Sequence, residues 1–370
     1  MVAQESVVSP KHTLGVLYGF SSGGVELMKT QAHADTGTRV AFEAACAFLE
    51  DREGELEGYE PVASCGGFVA LRRRPPLPGV VLPGLGLSPP PPSDLVVCNP
   101  VTGQHVSLPR PSIWDESFVL LAHGGTSFSL QILNLELADA GMLQVQTFSS
   151  AKGKWDGVVA TYANLPLGAP SRFVRPSPLV LDGVAYWLCK SESKCLGYHV
   201  LALPLDGQRQ PAPIKLPDKV PKTRGRGDNF DAEDILLAST TVSGTRRLTL
   251  AAVANVTISL WTLDEHQAEK PARWTRHKFF DLWNMTLERK GRLPSWEKGD
   301  RVALECFSES GESGSLLFHF YHRMLYRIDL QTEKQTEEVS LNLAGIYCKR
   351  SSSNMCEYHI DDAAVLKLKS

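Results

Sequence analysis

No apolar run in this chain approaches the ~18 residues that a membrane-spanning helix needs, so no membrane partner is expected. The opening segment "MVAQESVVSPKHTLGV" lacks the charged-then-apolar profile of a secretory signal. Charge of one sign is also missing: 38 Lys and Arg stand against 41 Asp and Glu, a net charge of −3. Electrostatic nucleic-acid binders show a basic stripe instead, so no nucleic acid is expected as a partner. The short basic runs Arg72 to Arg74 and Lys219 to Arg226 lie in stretches containing Pro or Gly. Both read as solvated loops, the second with the composition of a weak nuclear import signal. Helical patterns do not alternate with strand patterns, which excludes a parallel α/β sheet.

Eight cysteines are scattered at 46, 65, 98, 189, 195, 306, 348 and 356, mostly inside apolar runs. Without an export signal they read as reduced core residues of an intracellular protein, cytoplasmic and/or nuclear. The sites Asn255-Val-Thr257 and Asn284-Met-Thr286 are then not expected to be glycosylated.

What the chain has in quantity is strand signal. "LGVLYGF", "GGFVALR", "DLVVCN", "FSLQILNLEL", "LQVQTFS", "PLVLDGVAYWLC", "YHVLALPL", "RRLTLAAVA", "TISLWTL", "SLLFHFYH", "MLYRIDL" and "AVLKLK" are short apolar or alternating runs bounded by turn residues. Only 38–53 ("TRVAFEAACAFLEDRE") and 278–290 carry a helical pattern. The fold class is all-β.

The strands recur as units. "VVCNPVTGQHVSLP" (96–109) is an apolar strand, a polar turn and a second strand ending in Leu-Pro. "LQVQTFSSAKGKWDGV" repeats it with Trp155 just past the turn, and "YHVLALPLDGQRQPAPIKLP" again ends in Leu-Pro. "ISLWTLDEHQAEKPARWTRHKFFDL" carries Trp274, and "MLYRIDLQTEKQTEEVSL" is a fifth copy. A period of roughly 45 to 65 residues fits four strands plus variable loops, the blade of a β-propeller. At 370 residues the chain exceeds one simple core. The expected fold is therefore a single closed propeller of four-stranded antiparallel blades, six to eight in number with seven favoured. The final "AAVLKLKS" would pair with an N-terminal strand to close the ring. Two packed sandwich domains are the rival all-β architecture.

Residues 1–13 read as a short tail and 14–370 as the propeller. It is interrupted by a Pro-rich loop insertion at 72–93, whose prolines cannot donate to a sheet ladder, and by a polar loop at 217–234.

"YEPVASCGGFVAL" (59–71), followed after the insertion by "DLVVCNPVTGQHVSLP", resembles the plant F-box-associated domain, a kelch-like β-propeller. In that family a Ser-Cys-x-Gly-Leu stretch precedes a strand ending in Cys-Asn-Pro, then Leu-Pro. "QVQTFSSAKGKW", "PLVLDGVAYWL", "LALPLDGQ", "ISLWTLDE…RW" and "LYRIDLQTEK" follow in family order, so the resemblance runs from about Leu14 to about Val339. It implies the substrate-recognition propeller of an SCF-type ubiquitin ligase. Position 66 is Gly where the family often has Asn, and position 68 is Phe where it has Leu. The family also carries an F-box, a three-helix module that attaches to a Skp1-type adaptor. No such pattern is legible in this sequence, so the recognition half is expected without the adaptor-binding half.

Several short motifs meet commoner explanations. Gly19-Phe-Ser21-Ser-Gly23 satisfies a nucleophile elbow, but that chemistry needs a strand–turn–helix and "GGVELMKT" offers barely one turn. It reads as a loop. His319 and His322 are three apart in a strand-like run and point to opposite faces. Cys356 and His359 with Cys348 have loosely zinc-like spacing and lack a fourth ligand nearby. Arg72-x-x-Pro75-x-x-Pro78 fits a polyproline ligand, though an exposed insertion explains it as well. Arg226-Gly-Asp228 reads as a turn. No catalytic, metal or cofactor site is assigned.

Trp155, Trp187, Trp261, Trp274 and Trp283 read mostly as blade core. Exposed loop aromatics and arginines are favoured interface anchors. On that ground Arg110, Trp114, Arg172, Arg175, Trp283 and Trp296 are the candidate binding rim for an unknown target protein. The expected function is non-enzymatic protein recognition. The alternatives are a propeller-scaffold enzyme, which needs carboxylates or histidines around the channel mouth, and a glycan- or small-molecule-binding propeller, which needs repeat-equivalent pocket residues.

Overall fold

The structure is a computed structural model that describes residues 11–19, 25–29, 36–52, 54–73, 94–113, 117–123, 126–136, 142–162, 171–175, 178–191, 198–206, 210–217, 220, 234–242, 244–254, 257–264, 273–282, 302–308, 314–320, 324–330, 335–340 and 355–361. Strands β1 (Lys11–Gly19) and β2 (Val25–Lys29) precede helix α1 (Thr36–Asp51). The first full blade is β3 (Tyr59–Cys65), β4 (Phe68–Arg73), β5 (Leu95–Asn99) and β6 (Gln104–Leu108). The second is β7 (Ser117–His123), β8 (Ser127–Glu136) and β9 (Met142–Ser149), with an outer strand in two pieces, β10 (Lys154–Trp155) and β11 (Val159–Tyr162). The third has its inner strand in two pieces, β12 (Ser171–Phe173) and β13 (Leu179–Leu181). β14 (Val184–Ser191), β15 (Tyr198–Pro204) and β16 (Ala212–Lys215) complete it.

The fourth blade is β17 (Ile235–Val242), β18 (Thr245–Ala254), β19 (Thr257–Leu263) and β20 (Trp274–Asp281). The fifth is β21 (Val302–Ser308), β22 (Ser315–Phe320), β23 (Met324–Asp329) and β24 (Gln335–Ser340). All pairings are antiparallel, in a propeller arrangement. The last strand, β25 (Met355–Asp361), pairs with β1 in a three-stranded sheet ordered β2-β1-β25.

The all-β, four-stranded-blade expectation holds at that level, and the count of six to eight is corrected. Among the described residues there are five full blades, which do not close a ring by themselves. The three-stranded sheet has β25 beside β3 of the first blade and β21 of the fifth. Helix α1 follows β2 and packs on the first blade. Its stripe Ala41, Ala45 and Leu49, one residue per turn on one face, is buried on Val69, Leu71, Val96, Cys98 and Val101. β1 pairs with residues 355–361, and "AAVLKLKS", expected to pair with an N-terminal strand, lies outside the described residues.

The cores lie between blades. Phe68, Phe118, Phe128 and Phe148 join the first to the second, and Val119, Leu133, Trp187 and Leu201 the second to the third. Val200, Ile214, Leu250 and Trp261 join the third to the fourth, and Leu260, Phe280, Leu304 and Phe318 the fourth to the fifth. A blade has two apolar faces, so each needs a neighbour.

The repeated turns have a shared mechanism. In "NPVTG" the Asn99 Oδ1 accepts from the backbone N of Val101 and of Thr102, each at 3.2 Å. The N–H of Gly103 returns to the Asn99 carbonyl at 2.9 Å. In "SSAKG" the N–H of Gly153 returns to the Ser149 carbonyl at 2.8 Å. Both glycines hold positive φ, 74° and 65°, which glycine adopts without strain.

Other local expectations change. "PLVLDGVAYWLC" is a hairpin rather than one run, turning at Asp182 and Gly183 with φ of 49° and 75°. The helix expected over 278–290 begins inside β20, and 283–290 lies outside the described residues. Arg72 and Arg73 are not loop residues. They end β4, where Arg72 Nη2 lies 2.5 Å from Glu60 Oε1 across the β3–β4 pair. The side chains are 20% and 7% exposed, and the Arg72 guanidinium also stacks over Phe118 of the next blade at 5.4 Å. That occupied guanidinium removes the cation from the polyproline motif.

Candidate functional site

The rim residues chosen from sequence do not form one cluster in the described part of the molecule. Trp114, Trp283 and Trp296 lie outside the described residues. Arg110 follows the outer strand of the first blade, exposed, with Nε 3.1 Å from Asp94 Oδ1. Arg172 sits in β12, its backbone opposite Lys190. Arg175 points inward.

Arg175 lies where the inner strand of the third blade breaks. β12 ends at Phe173 and β13 resumes at Leu179, across "VRPSP". Proline has no N–H to give a ladder, so the break is written in the sequence. From it Arg175 Nη2 donates to the Leu304 carbonyl at 2.5 Å. Leu304 is in β21, the inner strand of the fifth blade, next to the β-bulge between Leu304 and Cys306. The bond therefore reaches across the inside of the propeller, past the fourth blade.

The tryptophans act at blade borders. Trp187 is buried and donates to Ser117 Oγ of the second blade at 2.5 Å. Trp155 and Trp274 are half-buried on outer strands. Trp155 Nε1 donates to the Pro109 carbonyl at 2.6 Å, and Trp274 Nε1 to the Lys215 carbonyl at 2.8 Å. Each ties its outer strand to the end of the preceding blade's outer strand. The Leu-Pro endings and post-turn tryptophans of the sequence are thus two halves of one clasp.

Reactive groups are few in the described part. His199 is 8% exposed on β15, and burial pushes its imidazole down to about 4. It stands between Cys189 and Lys215 in the strand register. Cys98 and Cys189 are buried free thiols, as expected for core cysteines. Burial, with Glu50 second, pushes the half-buried Cys46 thiol up, which disfavours the nucleophilic thiolate. Gly19 ends β1, and the rest of the Gly-x-Ser-x-Gly stretch lies outside the described residues, as do His322, Cys348 and Cys195. Cys356 and His359 both belong to β25. Among the described residues no group of three or more His, Cys, Asp or Glu is placed to hold a metal ion. No helix among them is long and apolar enough to cross a membrane.

One surface was not foreseen. On the outer strand β20, Phe279 is 64% exposed. The Arg276 guanidinium lies over its ring at 5.6 Å and over the Trp261 ring at 5.9 Å. Arg276 Nη2 also donates to Ser259 Oγ at 3.3 Å. A β-bulge falls between Leu260 and Trp261, where Arg276 and Lys278 pair and His277 is the extra residue. The signal was in "RWTRHKFF", three cations and a histidine among three aromatics, masked by its reading as the second half of a repeat unit.

A family model described as "Domain of unknown function (DUF7595)" matches residues 15–369. The chain belongs to that family. No curated protein matches it. Among solved structures it is similar to a Mycobacterium tuberculosis puromycin-hydrolyzing peptidase, with a TM-score of 0.38 and 10% identity over 75% of this chain and 37% of that one. A putative dipeptidyl aminopeptidase IV from Bacteroides ovatus matches with a TM-score of 0.35 and 12% identity, over 76% and 39%. HIRA(644-1017) matches with a TM-score of 0.26 and 11% identity, over 64% and 57%. The chain spans less than two thirds of each of these structures.

Proposed function

We propose that this member of the DUF7595 family is a protein-recognition propeller that performs no chemistry of its own. The observation that carries the reading is the Arg175–Leu304 bond. A side chain tied across the interior competes with any ligand that would enter there, so the loops and outer strands are the available binding surface. Propellers of this kind recognise proteins by shape and by aromatic and Arg anchors.

The finer proposal rests on the resemblance to the plant F-box-associated domain: the bound protein is a ubiquitination substrate. Affinity purification of the tagged chain with mass spectrometry tests both levels. A reproducible protein partner lost on Trp114→Ala or Trp296→Ala is the expected result. Binding indifferent to both substitutions removes the rim from the proposal. Recovery of a Skp1-type adaptor with the partner would overturn the expectation of a recognition half alone, and a partner that carries no ubiquitin removes the ligase role.

A further inference from the structure

We propose that β20 is a docking edge for an acidic, extended peptide segment of a partner protein, which adds to the fourth blade as a fifth strand. The proposal rests on the protein-recognition reading and names the partner's chemistry.

β20 ends the order β17-β18-β19-β20, and no strand lies beyond it among the described residues. The Arg273 carbonyl accepts from the Asp264 N–H at 2.9 Å. Antiparallel pairing alternates, so residues 274 and 276 turn their N–H and C=O groups to the open edge. A strand edge of this kind is a template for another extended chain.

The side chains select an acidic one. Arg273 is 85% exposed, and Arg276 and His277 are exposed as well. Lys278 Nζ is held on the Leu330 carbonyl at 3.0 Å. Asp264 is 3.8 Å from both Arg247 and Arg273. β20 and Arg273 just before it thus carry three formal cations against Asp281 in a chain of net charge −3. The other outer strands differ: β6 has no Lys or Arg, the two-piece β10 and β11 has Lys154 alone, β16 has Lys215 alone, and β24 has Glu337 and Glu338.

Charged edge residues commonly serve to keep strands apart. That role does not account for an exposed phenylalanine beside them. It also does not account for an arginine held flat by two rings and a serine hydroxyl. A guanidinium held in place loses less entropy on meeting a carboxylate, and Phe279 supplies the apolar anchor.

The test is a fluorescence-anisotropy titration of the full chain with a fluorescein-labelled peptide of alternating Glu and Val. A Lys–Val counterpart and oligothymidylate serve as competing probes. The acidic peptide should bind, more weakly as salt rises, and slow amide exchange at residues 274 and 276. Arg276→Glu or the fully exposed-side variant Arg273→Glu should each weaken it about tenfold, and Phe279→Ser should weaken it too. Lys152→Glu, on the second blade, should leave it unchanged. Circular dichroism checks that each variant is folded. Equal binding of the Lys–Val peptide, tighter binding of oligothymidylate, or acidic-peptide binding indifferent to both Arg variants overturns the proposal. Concentration-dependent dimers abolished by Arg273→Glu would assign the edge to a second copy and overturn it as well. A partner captured through Trp114 or Trp296 by a chain that ignores the peptide overturns this proposal and spares the protein-recognition reading.

Discussion

Arg175 Nη2 donates to the Leu304 carbonyl at 2.5 Å and so links the inner strands of the third and fifth blades. A charged hydrogen bond between elements so far apart in sequence stabilises the assembly of blades rather than any one of them. Arg175→Met keeps the aliphatic stem and removes the donor. It should lower stability by about 1.5 kcal/mol, read as a lower urea midpoint at unchanged slope. An unchanged midpoint would return Arg175 to the surface rim.

The two tryptophan clasps make a paired prediction. Trp155→Phe and Trp274→Phe keep an aromatic ring and delete the donors to Pro109 and Lys215. Each should cost about 1 kcal/mol in chemical denaturation. The clasps lie on different blade pairs, so the double variant should show the sum within about 0.5 kcal/mol. A marked excess would mean that the blades unfold as one cooperative unit through these ties.

Gly66 gives a sharp test of one family departure. It holds φ of +54°, which Asn tolerates. A Cβ there would stand 2.5 Å from the Ala122 Cβ of the second blade. Gly66→Asn, the change toward the F-box-associated pattern, should therefore destabilise by about 1–3 kcal/mol. Gly66→Asn with Ala122→Gly should recover part of the loss in thermal melts, because the second change opens that space.

His199 sets a pH dependence. Its folded value of about 4 lies below the ordinary 6.5 because burial opposes the charged form. The unfolded chain thus takes up a proton between these values that the folded chain refuses. Stability from this group is full above pH 6.5, falls as pH drops toward 4 and levels off below it. The loss is on the order of 3 kcal/mol. Cys189 and Lys215 flank it in the strand register. His199→Leu should lose visibly less stability between pH 7 and pH 5 than the parent chain. Parallel losses in the two proteins would remove His199 from the acid response.

Much of the blade architecture was open to reading before any coordinate. β19 matches "TISLWTL" from end to end, and β15 and β18 match their runs within a residue. The inner strands β7, β17 and β21 went unread. "SFVLLAH" and "ILLASTTV" are buried on successive residues, so they lack the alternation that marks a strand with one solvent face. Of the second helical pattern, 278–281 belong to β20, residue 282 is helical, and 283–290 lie outside the described residues.

The candidate site was less open. Arg175 was singled out as a rim arginine, and the prolines after it break the strand at the point where it turns inward. Arg276 and Phe279 lie in the cation- and aromatic-rich "RWTRHKFF", which reads locally as the second half of a repeat unit. Their pairing exists because the bulge and the Trp261 ring bring them together.

By itself the sequence determined what depends on neighbours a few residues apart. These are the strands with one wet face, the Gly-closed turns, the helix over 36–51, and a repeat that must stack to bury both faces. The tertiary structure alone decided what depends on contacts across the ring: five full blades with a three-stranded sheet joining the ends, Arg175 directed to Leu304, and an edge strand left with cations and an exposed ring. Local steric and hydrogen-bond preferences are written in short stretches of chain. The partner that a side chain meets 129 residues away is set only when the blades pack.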